Sequence, residues 1–284
     1  MNRDHLRYEW NTLPWRELER DVFKLQKRIY QASRRGEAKT VHRLQRLILT
    51  STSAKLIAVR KVTQDNQGKK TAGIDGKTAL KATERMELVK HLEMESKSKP
   101  VRRVWIPKPG KDEKRPLGIP TIADRAKQAL VKMAIEPEWE ARFESNSYGF
   151  RPGRSCHDAI EAIYGAIKNK NAYVLDADIT GCFDSISHDA LLEKINTTPT
   201  MKRVIKGWMK AGVMEGDVLQ QVESGTPQGG VMTPPTMLRK TIVSTTGKCP
   251  FLDVEYHVNA FLVNFNALDQ CADQFPPTWP IQII

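Results

Sequence analysis

Apolar residues recur every three or four positions up to about Met94, and the period changes to alternation at Val101, so the chain builds helices first and mixes strands with helices afterwards. Residues 15–31 place Trp15, Leu18, Val22, Leu25 and Ile29 on one helical face, with Pro14 at the first turn. The opposite face carries Arg16, Arg20, Lys24, Lys27 and Arg28. After Arg35-Gly36 the pattern predicts a second helix over about 38–59, with Val41, Leu44, Ile48 and Leu56 inward. Arg43, Arg46, Lys55 and Arg60 then point outward. Residues 63–76 (TQDNQGKKTAGIDG) read as a loop that adds Lys69 and Lys70, and a third helix is predicted over 78–94.

The second part has a different rhythm. VRRVWIP (101–107) alternates like a strand, PGKDEKRP supplies turn residues, and LGIP resumes the extended chain, which together predict a basic hairpin. A helix is expected from Asp124 and another over 155–168, followed by a short apolar strand over 172–179. Helices over 187–195, with Ser187 as N-cap, and 201–210 precede a strand over 218–222 that leads into SGTPQGG. Helices and strands in this mixed order, without regular βαβ repetition, predict an α+β fold.

Composition narrows the class. With 284 residues, 40% hydrophobic and 27% charged, the chain is an ordinary globular sequence, which excludes wholesale disorder, collagen and a coiled-coil rod. No apolar run approaches the ~20 residues of a membrane span, and residues 1–19 have no export-signal pattern, so no membrane partner and a cytoplasmic location are expected. Cys156, Cys182, Cys249 and Cys271 are too scattered for a disulfide scaffold or a zinc site.

The net charge of +12 is unevenly distributed. Residues 1–115 hold 29 Lys and Arg against 14 Asp and Glu, residues 116–230 hold 13 against 15, and residues 231–284 hold 3 against 4. A basic first segment on a near-neutral body suggests that one part holds a polyanion while another does chemistry. A well-solvated pair of surface helices is the competing explanation.

Asp176 and Asp178 lie two apart in VLDADI and so share a strand face, with Asp184 just beyond. Carboxylates gathered in this way repel one another, and divalent cations relieve that repulsion. The competing reading is a strand end that caps a helix or pairs with Arg.

Longer motifs add context. The run DADITGCFDSISHD (176–189), preceded by YGFRPGRSCHDAI (148–160) and followed by SGTPQGG (224–230), resembles bacterial group II intron reverse transcriptases, also called maturases. KLIAVRKVTQDNQGKKTAGIDG (55–76) is similar to their N-terminal domain, and IPKPGKDEKRPLGIPTIADRAKQ (106–128) to their fingers hairpin and the helix after it. The resemblance runs from about Trp10 to Val231. It implies an RNA-directed DNA polymerase with a helical basic N-terminal RNA-binding domain (1–95), fingers and a partial right-hand palm (96–234), and a divergent tail (235–284).

The resemblance also implies site residues. Asp178 matches the first metal-binding aspartate, and the Ile179 carbonyl would help hold Mg2+. Phe183 matches the bulky residue under the sugar of an incoming nucleotide, where a ring leaves no room for a 2′-hydroxyl. Lys108 and Arg125 are the triphosphate candidates among a cluster that includes Lys111, Lys114 and Arg115, and Gln228 would pack near the new base pair. Arg151 and Arg154 would support the template path or the palm. Lys24, Lys27, Arg28, Arg43, Arg46, Lys69 and Lys70 are the candidates for RNA contact. The implied partners are structured intron RNA, an RNA template with a DNA primer, and a deoxynucleoside triphosphate.

One departure stands out. The family places a Tyr-x-Asp-Asp hairpin downstream of PQGG, and no such tetrapeptide exists between Gly230 and Ile284. The expected apolar run is replaced by VMTPPTMLRKTIVS, so the tail from about Pro235 reads as an out-of-frame continuation of a once complete gene. A truncated copy with little or no polymerase activity alone is therefore expected. The alternative is a non-catalytic intron-RNA-binding maturase fragment that assists splicing.

Overall fold

The computed structural model describes residues 9–94, 97–107, 110, 112–168, 177–179, 186–225, 246–249, 254–257 and 281–283. The chain forms two compact units, one from residues 1–141 and 183–233 and the other from 142–182 and 234–284.

In the first unit, α1 (Trp15–Arg34) buries Leu18, Val22, Ile29 and Ala32, the face expected from the spacing. It ends at Gly36, whose φ of 72° lets its N–H reach the Ser33 carbonyl while the Glu37 N–H reaches Ala32. The single helix expected over 38–59 is two helices, α2 (Ala38–Thr50) and α3 (Thr52–Arg60). The break has a local cause: Ser51 adopts an extended conformation and its side chain accepts the Ala54 N–H, starting a new helix within a run of four hydroxyl residues. The third helix, α4 (Ala82–Lys90), is shorter than expected because Lys81 is its N-cap, with its backbone N–H bonded to Glu84.

Helix α5 (Ile122–Glu140) is the axis of this unit, with thirteen of its 19 residues buried and α1, α2 and α3 all packed against it. Polar ties fix the packing. Ser33 Oγ donates to the Glu138 carbonyl (3.0 Å), Gln26 Nε2 to the Met133 carbonyl (3.1 Å), and Gln45 Nε2 to the Glu138 carboxylate (2.7 Å).

The hairpin expected over 101–120 is present as β1 (Val101–Pro107) and β2 (Lys114–Ile119), paired antiparallel from Arg102↔Ile119 to Pro107↔Lys114. It is half of a larger sheet. β1 also pairs in parallel with a later strand of this unit, Val213–Glu215, which forms a tight hairpin with Val218–Gln220. Before that hairpin come α7 (His188–Ile195), N-capped by Ser187 as expected, and α8 (Pro199–Met209), N-capped by Thr198.

In the second unit, α6 (Cys156–Ile167) starts at a capping box in which Ser155 and Asp158 bond reciprocally. Strand β3 (Ala177–Ile179) pairs antiparallel with the C-terminal Ile281–Ile283; the rest of the strand expected over 172–179 lies outside the described residues. With β3 assigned, Val213–Glu215 is β4 and Val218–Gln220 is β5, so the sheet of the first unit has the order β2-β1-β4-β5. β6 (Thr246–Cys249) and β7 (Val254–His257) form a separate antiparallel pair. No helix among the described residues is long and apolar enough to cross a membrane.

Candidate nucleic-acid interface

The helices of the first unit display most of the expected cations. Lys24, Lys27 and Arg28 on α1 and Arg43 and Arg46 on α2 are exposed. Two of the three acids on α1 are engaged: Glu19 takes Arg60 (3.1 Å), and Asp21 takes Lys24 (3.4 Å). Helix α2 contains no Asp or Glu. Lys27, Arg28 and Arg43 have no carboxylate partner among the described residues, so their positive field is directed at solvent.

The basic loop is built differently. Helix α3 runs on through a wide turn at Lys61–Asp65, where Thr63 Oγ1 bonds the Val59 carbonyl (2.7 Å), into a 3-10 turn at Gln67–Lys70. Lys70 is exposed there, whereas Lys69 is half-buried, with Nζ donating to the Gln64 carbonyl (2.6 Å).

Arg125 holds this loop. The residue is 6% exposed, and its guanidinium donates to the Gly68 carbonyl through Nη1 and to the Thr71 carbonyl through Nη2, both at 2.7 Å. Burial pushes its pKa below the usual arginine value, and Asp75 acts in the opposite direction. Two residues after Thr71, Gly73 lies against the start of α5. A Cβ there would stand 2.7 Å from Thr121 Cα and 2.9 Å from the Pro120 carbonyl oxygen. Thr121 caps α5 by accepting the Asp124 N–H (3.1 Å), and the Thr121 hydroxyl donates to the Asp124 carboxylate (2.8 Å). The loop is thus fixed by an arginine on one side and by backbone contact on the other. Each terminal nitrogen uses one of its two N–H groups on a carbonyl of the same chain.

On the sheet, Lys114 and Arg115 are exposed at the start of β2, while Trp105 on β1 donates its indole N–H to Glu215 (2.7 Å). Lys108, Lys111, Phe183 and Gln228 lie outside the described residues. Asp178 and Ile179 are described only through the backbone of β3. Among the described residues, no three His, Cys, Asp or Glu side chains come together as a metal site.

Three buried polar residues act as structural anchors, and only Arg151 has a supporting role among those expected for it. His188 shares a 2.7 Å hydrogen bond with the Gly225 carbonyl, whose own N–H reaches the Ile186 carbonyl (2.8 Å), so Gly225 is gripped from both sides. Arg151, in the second unit, donates to the Glu144 and Ser147 carbonyls and lies over the Phe143 ring. Arg125 is the third. Apart from being cations or imidazole, these residues carry no sequence signal for such roles, because the carbonyls they serve belong to loops.

Two family models match the chain. Residues 10–92 match the N-terminal domain of reverse transcriptase, and residues 106–241 match reverse transcriptase (RNA-dependent DNA polymerase). The chain is 38% identical over 177 residues to the group II intron-encoded protein LtrA of Lactococcus lactis subsp. cremoris, an alignment covering 60% of this chain and 29% of that protein. It is 34% identical over 206 residues to protein YkfC of Escherichia coli (strain K12), covering 68% of this chain and 54% of that protein. It is 33% identical over 196 residues to maturase-like protein 1 of Euglena gracilis, covering 64% of this chain and 41% of that protein. The chain therefore spans about half or less of the length of these relatives.

Proposed function

Because the chain belongs to the group II intron reverse transcriptase and maturase family, we propose that it binds structured intron RNA and carries the N-terminal and fingers portion of an RNA-directed DNA polymerase. The observation that supports RNA binding most directly is the exposed cation set Lys27, Arg28 and Arg43, which faces no acid among the described residues. Lys24, Arg46, Lys69 and Lys70 extend it. Such a surface releases counterions when it meets phosphates, so binding weakens steeply with salt. We keep the division into an RNA-binding domain over 1–95, fingers and partial palm over 96–234, and a divergent tail as part of the same proposal.

Polymerases of this family generally use a divalent metal. In this chain Asp178 and the Ile179 carbonyl would hold Mg2+, which supplies charge stabilisation at the attacking and leaving oxygens. The chain's own part would be positional: Lys108 to meet the triphosphate, Phe183 to reject a ribose 2′-hydroxyl, and Gln228 to support the new base pair. Arg125, by contrast, is proposed to work through the loop it holds.

A second reading is favoured by one sequence fact, the absence of Tyr-x-Asp-Asp after PQGG. With one carboxylate in place of a pair, RNA binding without DNA synthesis is the expected behaviour of this polypeptide alone. The test is a salt-dependent titration of intron RNA beside primer extension with Mg2+, both with the 284-residue chain and with Asp178→Asn. RNA binding equal in the two proteins, with no extension by either, supports the binding reading. Extension that Asp178→Asn abolishes would establish the polymerase, and salt-insensitive or undetectable RNA binding would sink the proposal.

A further inference from the structure

The outward face of α1 has a finer pattern than a basic patch. At about 100° per residue, Arg16, Arg20, Phe23, Lys27, Tyr30 and Arg34 fall within ~40° of one line along the helix. That line lies opposite the buried Leu18, Val22 and Ile29. The spacing is four, three, four, three, four, and the row extends over about 27 Å of helix axis. Phe23 stands near its middle and is 64% exposed. The four cations are exposed as well, and none has a carboxylate partner among the described residues. No acid lies on the line. Glu19 and Asp21, to either side of it, are held by Arg60 and Lys24.

A single solvent-facing phenylalanine is ordinary on a protein surface, but its place among unpaired cations gives it little to gain from a protein groove. A helix that docks in such a groove needs apolar anchors at successive turns. Here the successive turns carry Arg and Lys, with a single bare ring between them. Single-stranded nucleic acid fits better, because cations follow the phosphates while an aromatic ring offers its face to a base. A fully paired duplex presents phosphates but no free base face.

We infer that this row on α1 recognises single-stranded RNA, with an unpaired base stacked on Phe23 and the neighbouring phosphates held by Arg16, Arg20, Lys27 and Arg34. The inference rests on the nucleic-acid reading above and specifies the kind of RNA that this surface selects. Tyr30, half-buried on the same line, offers a second ring one helical step of seven residues away.

The test uses the full chain with a fluorescein-labelled oligouridylate and a blunt RNA duplex of equal length, each titrated over a range of salt. Phe23→Ala is expected to weaken oligouridylate binding roughly tenfold, while duplex binding and the salt slope stay unchanged. Phe23→Tyr is expected to keep wild-type affinity. The double change Arg20→Ala and Lys27→Ala should weaken both RNAs and reduce the single-strand slope by about 1.4, two contacts at ~0.7 each. If Phe23→Ala leaves oligouridylate binding intact while the double change weakens it, stacking is refuted and the broader reading survives. If Phe23→Ala weakens duplex and single strand equally, selectivity for an unpaired base is refuted. If neither change affects either RNA, α1 is not the interface and this inference is refuted, while the broader reading then rests on Arg43, Arg46, Lys69 and Lys70.

Discussion

Replacing Arg125 by leucine tests the loop clamp directly. The guanidinium makes two charge-assisted hydrogen bonds at 2.7 Å, and the residue is 6% exposed, so water cannot simply take its place. Bonds to charged groups contribute about 1.5–3 kcal/mol each, which sets a gross loss of roughly 3–6 kcal/mol. Part of this is recovered because the buried charge no longer has to be desolvated, as the lowered pKa of Arg125 indicates. A net destabilisation of about 2–4 kcal/mol is therefore expected, read as a lower urea midpoint at constant m. Arg125→Lys should lie between, since an ammonium cannot reproduce the planar fork that spans both carbonyls. If the loop is freed, Lys69 and Lys70 lose their fixed positions, and RNA affinity should fall as well. The reasoning fails if Arg125→Leu unfolds at the wild-type midpoint, and it fails most informatively if that variant loses only nucleoside triphosphate binding.

Gly73→Ala attacks the same loop from its other end. The new methyl would meet Thr121 and Pro120 backbone, which cannot rotate away, so a loss of roughly 1–3 kcal/mol is expected in the same unfolding assay; wild-type stability would mean that the loop does not pack on α5 as described. A pH titration probes the start of α6. There the hydrogen bonds from Ser155 hold the Asp158 carboxyl below the ordinary aspartate value. A depressed carboxyl stabilises the folded cap above the ordinary pKa, and that contribution is lost as the pH falls through the folded value. Carbon chemical shifts of Asp158 should accordingly titrate below the normal range in the wild type and move back towards it in Ser155→Ala, and a midpoint unchanged by that substitution would exclude the capping box.

Which features were legible in the sequence follows from how far apart the interacting residues are. The buried face of α1 and the β1–β2 hairpin depend on neighbours within one turn or one strand, and the spacing of Leu18, Val22 and Ile29 or the alternation in VRRVWIP displays them. The break at Ser51 was hidden because α2 and α3 carry apolar residues in nearly the same phase, and a hydroxyl run is tolerated inside a helix as easily as it starts one. Strand β4, three residues long, is too short to show any period, so the sheet it completes with β1 could not be read.

Charge shows the same limit more sharply. The sequence displays a basic N-terminal segment, but not which of its cations are committed. Arg60 answers Glu19 across 41 residues, and Arg125 answers Gly68 and Thr71 across 57 and 54. A buried guanidinium spent on two carbonyls, as in Arg125, has less left for phosphate than exposed cations such as Arg16, Arg20, Lys27 and Arg34. The tertiary fold therefore sorts one uniform-looking set of arginines and lysines into those that shape the protein and those that can meet RNA. It also sets Phe23, a lone exposed ring on a polar face, among those free cations.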